Sequence, residues 1–471
     1  MWGSTVTLAA VACGYLLARA LPSSGARPPC RWLAAALAPG LGLGAVSFGL
    51  FWLYHLRLDR RVLGAFLALA AAAALARVLR RRRSRGPIDS AGGSFAAGGP
   101  LAWVSAGLVG ITVLMLGFQA AAQFEKHPLG TFDAKAIWNL HAAFLYRAET
   151  GHQELFQSLR VGNPAYPLLL PGAVAGQFLL RGSDDPAIPQ ATTVVLLAGL
   201  ALVVGLATAR LGARRLALPA VLLVLSTPAV SRFAFSQCAD LPVAYLLLAS
   251  AFGLAVQLDR REQTADFPPL LTGCFLGMLA WTKDEGMVLA AILVGVFAPL
   301  YWISGRRAGG RRRWLALAAG ALPFLVSWAT FKFRWAPVSH RGGYLGDMWA
   351  KLADPERWSE IAGQLLCRLD PFCAPERWGA LGVFLLAGSV LVLITRGALT
   401  LRTAYLGLAF AAALGAYVGF YLFTPLTLRY HLESSLDRLL LQIFPLCVVW
   451  VCAALGSARG DPSRAAPERP A

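Results

Sequence analysis

YPLLLPGAVAGQFLL, residues 166 to 180, is apolar enough to enter a bilayer, and whether it crosses sets the sidedness of everything after it. A helix needs about 20 residues to span the hydrocarbon, and this run is shorter. Counting it as a crossing places RLGARR (210 to 215) and every later basic loop opposite RVLRRRRSR (77 to 85). Refusing it gathers those two segments with DRR (259 to 261), GRRAGGRRR (305 to 313) and the tail arginines Arg459, Arg464 and Arg469 on one side. Short connections rich in arginine belong in the cytoplasm. The run is therefore read as a short interfacial or re-entrant helix on the outer face, tolerated where protein covers its ends. HLRLDRR (55 to 61) is the exception, a basic segment left outside.

The rest of the chain agrees with a membrane setting. Its 471 residues are 57% hydrophobic and 14% charged, against roughly 25% charged in soluble domains. Spans are expected at about 4 to 21, 33 to 54, 63 to 79, 101 to 122, 191 to 209, 216 to 231, 240 to 258, 268 to 282, 285 to 303, 314 to 331, 378 to 395, 400 to 424 and 437 to 455. The expected fold is an all-α polytopic membrane protein of about 13 transmembrane helices. The first run lacks a charged n-region and is read as a retained helix, not a signal peptide. The net charge of +19 sits in short arginine clusters between apolar runs, a pattern of topology and not of nucleic-acid binding. The eight cysteines match no metal spacing, and Cys13, Cys274, Cys447 and Cys452 fall within spans as small buried hydrophobes.

On this threading the polar chemistry collects outside, in 123 to 190, 232 to 241, 281 to 286, 332 to 377 and 424 to 438. From Asp133 to Arg147 the residues Ile137, Trp138, Leu140, Phe144 and Leu145 share one helical face, with Lys135, Asn139, Tyr146 and Arg147 opposite. Asp133 reads either as that helix's N-cap or as a base at the membrane surface. Asp240, which opens CADLPVAYLLL, carries the same two readings. WTKDEG (281 to 286) compresses Lys283, Asp284 and Glu285 into a hairpin between apolar runs, either a hydrophilic turn or a functional group of charges. In RYHLESSLDRLLLQIFP a helix is expected from Ser434 or Ser435, with Asp437 completing a capping-box pattern. Arg438, one turn in, either snorkels or binds a lipid phosphate. His431 is a loop histidine beside these charges. In CRLDPFC, Cys367 and Cys373 either close a small disulfide loop or remain two thiols. No nucleotide-binding, metalloprotease or Ser/His/Asp signature stands in a credible context.

FDAKAIWNLHAAFL, NPAYPLLLP, CADLPVAYLLL, WTKDEG and YHLESSLDRLLLQIFP, in that order, resemble bacterial members of the GT-C superfamily of integral-membrane glycosyltransferases. These include protein O-mannosyltransferases, aminoarabinose transferases and lipopolysaccharide-core sugar transferases. The likeness covers a catalytic domain over 101 to 455, leaving 1 to 100 as additional N-terminal helices and 456 to 471 as a disordered cytoplasmic tail. It implies a polyprenyl-phosphate sugar donor, an acceptor that is a lipid, a polysaccharide or a protein, and an active site on the periplasmic face of the inner membrane. It also implies an essential acid in the first outer loop, which Asp133 matches. Where the family often has a second acid, Phe132 precedes Asp133 here and Asp240 is the nearest alternative, so a divalent metal between the two is left open. Lys283 and Arg438 then face the donor phosphate, and Tyr166, Asp240, Glu285 and His431 shape the sugar pocket. The rival expectation is a secondary transporter or flippase, which would also carry intramembrane charges and a broken helix. The charges gather on one face and no convincing inverted repeat is present.

Overall fold

The computed structural model describes residues 3–21, 29–83, 100–148, 150–258, 267–305, 310–337, 347–370, 372–373, 377–378, 381–394 and 400–458. Among these the only regular structure is helical, and the protein is an all-helical integral membrane protein. Nine helices among the described residues are long and apolar enough to cross a membrane, and Ser4–Ala20, Pro269–Thr282 and Gly382–Val392 are shorter apolar helices. One of the nine, Ala187–Ser226, is a 40-residue stretch broken at Gly212, whose φ is +106°.

Arg31–His55 and Asp240–Gln257 are among the most enclosed long helices. Tyr245 Oη on the second donates to Ala36 O on the first at 2.8 Å. Gly3–Ala20 crosses Arg31–His55 at a pair of glycines, since a Cβ on Gly14 would lie 2.0 Å from Ala38 O and one on Gly42 2.0 Å from Ala10 O. Only hydrogen fits at that crossing.

The run that decided the threading forms Leu169–Arg181, a helix of 13 residues. Just before it the Tyr166 ring stacks on Trp138, centroids 5.5 Å apart, and just after it Asp184 accepts from Arg147 Nε at 2.9 Å. Trp138 and Arg147 belong to one continuous helical segment, so both flanks of this helix contact the same segment. HLRLDRR lies at the same end of the bundle as that segment: Trp335 Nε1 is 3.2 Å from His55 Nδ1, and Arg57 pairs with Glu154 at 3.7 Å. The two ends differ in charge. Every described Asp and Glu lies at or beside this end, whereas the opposite end holds Arg19, Arg31, Arg210, Arg214, Arg215 and Arg311 to Arg313 with no described acid.

The last helix begins at Leu428, earlier than Ser434, because Leu428, Leu432 and Leu436 extend its buried stripe at four-residue spacing. Asp437 therefore lies well inside it and is no capping-box residue. The same helix continues through residues 456 to 458; the rest of the expected tail lies outside the described residues.

Candidate functional site

Two loops are zipped together to place the two acids. Thr131 N donates to Ser236 O at 3.2 Å, and Gln237 Nε2 donates to Pro128 O at 3.2 Å. Gly130 makes the approach possible: it has φ +77°, and a Cβ there would sit 2.6 Å from Ser236 O and 2.6 Å from Ala134 Cβ. Asn139 Nδ2 completes the joint with bonds to Leu129 O at 3.0 Å and Gln237 Oε1 at 2.8 Å.

Asn139 was expected on the polar face and is buried instead. Ala134–Trp138 is a π-helical turn, and its extra residue rotates the downstream side chains by roughly the 100° one residue subtends. Asp133 precedes that turn. It makes no capping hydrogen bond, so its carboxylate is free of the role the simplest reading gave it. Asp240 likewise stands in the first turn of its helix with its side chain directed elsewhere.

Both carboxylates converge on Arg438. Its Nε donates to Asp240 Oδ2 at 2.7 Å, and its Nη1 donates to Asp133 Oδ2. The other oxygen of Asp240 accepts from Gln442 Nε2 at 2.7 Å and from Lys283 Nζ at 3.3 Å. Lys283, an extended link between two helices, also pairs with Glu285 at 3.0 Å and lies 6.0 Å from the Tyr166 ring centroid. Tyr417 Oη donates to Gln442 Oε1 at 2.5 Å, linking the neighbouring helix to the cluster. Burial and the nearby Glu285 carboxylate push the Tyr166 phenol well above its usual range, so it stays a neutral donor.

Accessibility separates the two acids. The Asp133 side chain is 31% exposed and that of Asp240 only 2%. Asp133 Oδ1 has no hydrogen-bond partner among the described residues, and buried Glu285 Oε2 has none either. Asp284, beside Glu285, pairs with Lys332 at 2.5 Å, and Lys332 also donates to Ala165 O at 2.6 Å, tying this hairpin to the segment that carries Tyr166. His431 stands apart from these ion pairs, its Nδ1 2.7 Å from Thr424 Oγ1 and its ring between Phe420 and Tyr421.

A second network backs onto the first. Asp437 accepts from Arg377 Nη1 at 2.7 Å and Trp378 Nε1 at 3.1 Å, and Arg368 Nε lies 3.3 Å from it. Below Trp378 opens an apolar cavity of about 780 Å³, lined by Leu386, Phe410, Ile443 and Phe444 among others. Cys367 and Cys373 form a disulfide at its rim, Cα atoms 5.3 Å apart. Gln442 was not singled out from the sequence; its signal was there, a polar residue in LLLQIFP one turn beyond Arg438 on the same face. Arg368, Arg377 and Trp378 carried no such mark.

A metal fits this arrangement poorly. The guanidinium of Arg438 already bridges Asp133 and Asp240, and among the described residues no three His, Cys, Asp or Glu side chains converge to hold an ion. No family model, curated protein or solved structure matches the chain.

Proposed function

We propose that this protein is a membrane glycosyltransferase that moves a sugar from a polyprenyl-phosphate donor to an acceptor hydroxyl. The observation that carries this reading is the contrast between Asp133 and Asp240 on one arginine: one acid accessible with an uncommitted oxygen, the other enclosed and committed on both. That is a base presented by a fixed support. Asp133 Oδ1 takes the proton of the acceptor hydroxyl, the acceptor oxygen bonds to the anomeric carbon, and the carbon–oxygen bond to phosphate breaks with its electron pair leaving on the phosphate. A single in-line displacement inverts the anomeric centre. Arg438, 19% exposed, meets the phosphate. Lys283 is enclosed and divided between Asp240 and Glu285, so it positions them. Glu285, whose side chain is partly exposed, borders the sugar pocket with Tyr166 and more distantly His431.

The reading places the carboxylate-rich end outside, in the periplasm of a bacterial inner membrane, with the arginine-rich end inside. About 13 crossings then result when the two arms beside Gly212 are counted separately and the three shorter apolar helices are included. Leu169–Arg181 is the re-entrant helix of that scheme. A flippase would move lipid-linked sugars without breaking the bond to phosphate, which separates it in one assay.

The test is incubation of purified protein with a panel of polyprenyl-phosphate sugars, following donor consumption and release of polyprenyl phosphate. Asp133→Asn is expected to fold and retain donor while turnover falls by roughly two to four orders of magnitude. Arg438→Lys gives up the planar fork, and losing one charge-assisted bond at about 1.5–3 kcal/mol lowers turnover by roughly ten- to a hundredfold. The same assay is run with a chelator, and turnover is expected to be unchanged. Donor left intact by the unmodified protein across the panel, or near-normal turnover by Asp133→Asn, would remove the proposal.

A further inference from the structure

A polar cavity of about 500 Å³ opens where Arg31–His55, His152–Ser158 and the end of Gly310–Thr330 meet. His55, Gln153, Ala329, Thr330, Phe333 and Arg334 line it, the last two from the π turn Phe331–Trp335. None of the charged residues around Arg438 is among them.

Four of these side chains are polar, and they are not spent on the protein. Ser327, one turn before Thr330, returns its hydroxyl to Pro323 O at 2.9 Å, as helical hydroxyls commonly do. The Thr330 hydroxyl, the Gln153 amide and the Arg334 guanidinium have no hydrogen-bond partner among the described residues. Trp335 Nε1 donates to His55 Nδ1 at 3.2 Å. An indole nitrogen only donates, so the neutral imidazole carries its proton on Nε2.

The frame behind these groups is fixed. The His55 ring stacks on Phe51 with an interplanar angle of 12°, and Gln157 Nε2 donates to Arg334 O at 2.7 Å. Donors held before a ligand arrives cost less to order when it binds. The described lining holds a guanidinium and no carboxylate. Beside it Glu154 is turned to Arg57 and Asp284 to Lys332. Glu149 lies outside the described residues and enters the test below.

One guanidinium fork and three neutral donors from three segments exceed what the two oxygens of a carboxylate use, and suit a phosphoryl group. An arginine at the end of a span can merely snorkel; snorkelling calls for no converging neutral donors. Leu322, Leu325, Val326 and Phe333 are all exposed, at the spacing of one helical face. That face forms an apolar track leading to the cavity, where Phe333 belongs to both.

We infer that this cavity binds a phosphoryl anion, with Arg334 supplying the charge and His55, Gln153 and Thr330 the neutral donors, and that its source is the head of a membrane phospholipid whose acyl chain lies along Leu322, Leu325 and Val326. The site does not depend on the reaction assigned to Asp133.

The experiment places benzoylphenylalanine at position 333 of the full-length protein in nanodiscs and measures photocrosslinking to radiolabelled phosphatidylglycerol or to diacylglycerol, which lacks the phosphate. Phosphatidylglycerol is expected to crosslink roughly fivefold more or better, since charge-assisted bonds carry its head. Arg334→Gln should bring the two lipids level, and Thr330→Val should lower the phosphatidylglycerol yield about two- to tenfold. Arg160→Gln, an exposed arginine outside the lining, should leave the ratio unchanged. Equal crosslinking of the two lipids, or equal effects of Arg334→Gln and Arg160→Gln, would overturn the inference. So would a gain of roughly fivefold in Glu149→Gln, which would make a resident carboxylate the ligand. Radiolabelled inorganic phosphate is tested by equilibrium dialysis in lipid-free detergent. Saturable binding that is lost in Arg334→Gln, with phosphate abolishing the lipid crosslink, would keep the phosphoryl site and overturn the phospholipid as its source.

Discussion

Asp437 and Arg438 are consecutive on one helix and are held by different partners: Asp437 by Arg377 and Trp378, Arg438 by Asp133 and Asp240. Successive residues on a helix point about 100° apart. One turn of backbone therefore carries both networks, and the helix cannot turn to reposition the Arg438 guanidinium without also moving Asp437 away from Arg377 and Trp378.

Asp240→Asn should act mainly on stability. The carboxylate is almost wholly enclosed and neutralises Lys283 and Arg438, so its removal leaves two cations short of a counter-charge. Breaking a buried pair costs about 3 kcal/mol or more. Thermal unfolding of the purified variant is expected well below that of the unmodified protein, while Asp133→Asn melts close to it. Equal melting of the two variants would show that burial does not separate their roles.

Gly130→Ala and Gly110→Ala should change stability in opposite directions. Alanine at position 130 meets both a positive φ and a carbonyl at 2.6 Å, and is expected to destabilise by more than about 1 kcal/mol. At position 110, a helical site with open space, it should be neutral or stabilising by up to about 1 kcal/mol. Melting curves of the pair check both signs.

The convergence of Asp133, Asp240, Lys283 and Arg438 was legible because charged groups beside long apolar runs are costly and need one another. Their pairing was not. Nothing in FDAKAIWNLHAAFL announces a π turn, so Asn139 was placed on the wrong face and a cap stood as one of the two readings of Asp133. The start of the last helix was misplaced because Arg429, His431 and Glu433 read as loop, while the leucine spacing that extends the helix was passed over. The short run at 166 to 180 was read from its length and from the arginine distribution, and its flanking residues Tyr166 and Asp184 contact Trp138 and Arg147 of one helical segment.

Cys367 and Cys373 should be recovered as one linked peptide from protein digested without reductant, and as two after reduction. Recovery of both as free thiols from protein alkylated in intact cells would place this loop in a reducing compartment, contrary to the proposed orientation.

Acidification should destabilise the fold through His141. Burial lowers its pKa from the usual 6.5 to about 4, and burial lowers that of His152 in the same direction. The unfolded chain then binds more protons than the folded one between these values, so stability is fully present above about pH 6.5 and is lost as pH falls toward 4. The His141 share is up to about 3 kcal/mol. His141→Phe, which keeps a ring against Phe156, should flatten the unfolding temperature across that range.

The separation of charge between the two ends has a consequence once the membrane is energised. In the proposed orientation, with the arginine-rich end on the negative side, a transmembrane voltage favours keeping the molecule as it is placed. Inverting it would carry each of those arginines against the field at about 2.3 kcal/mol per charge for every 100 mV. In that proposed orientation the membrane potential would help hold Asp133 on the outer surface.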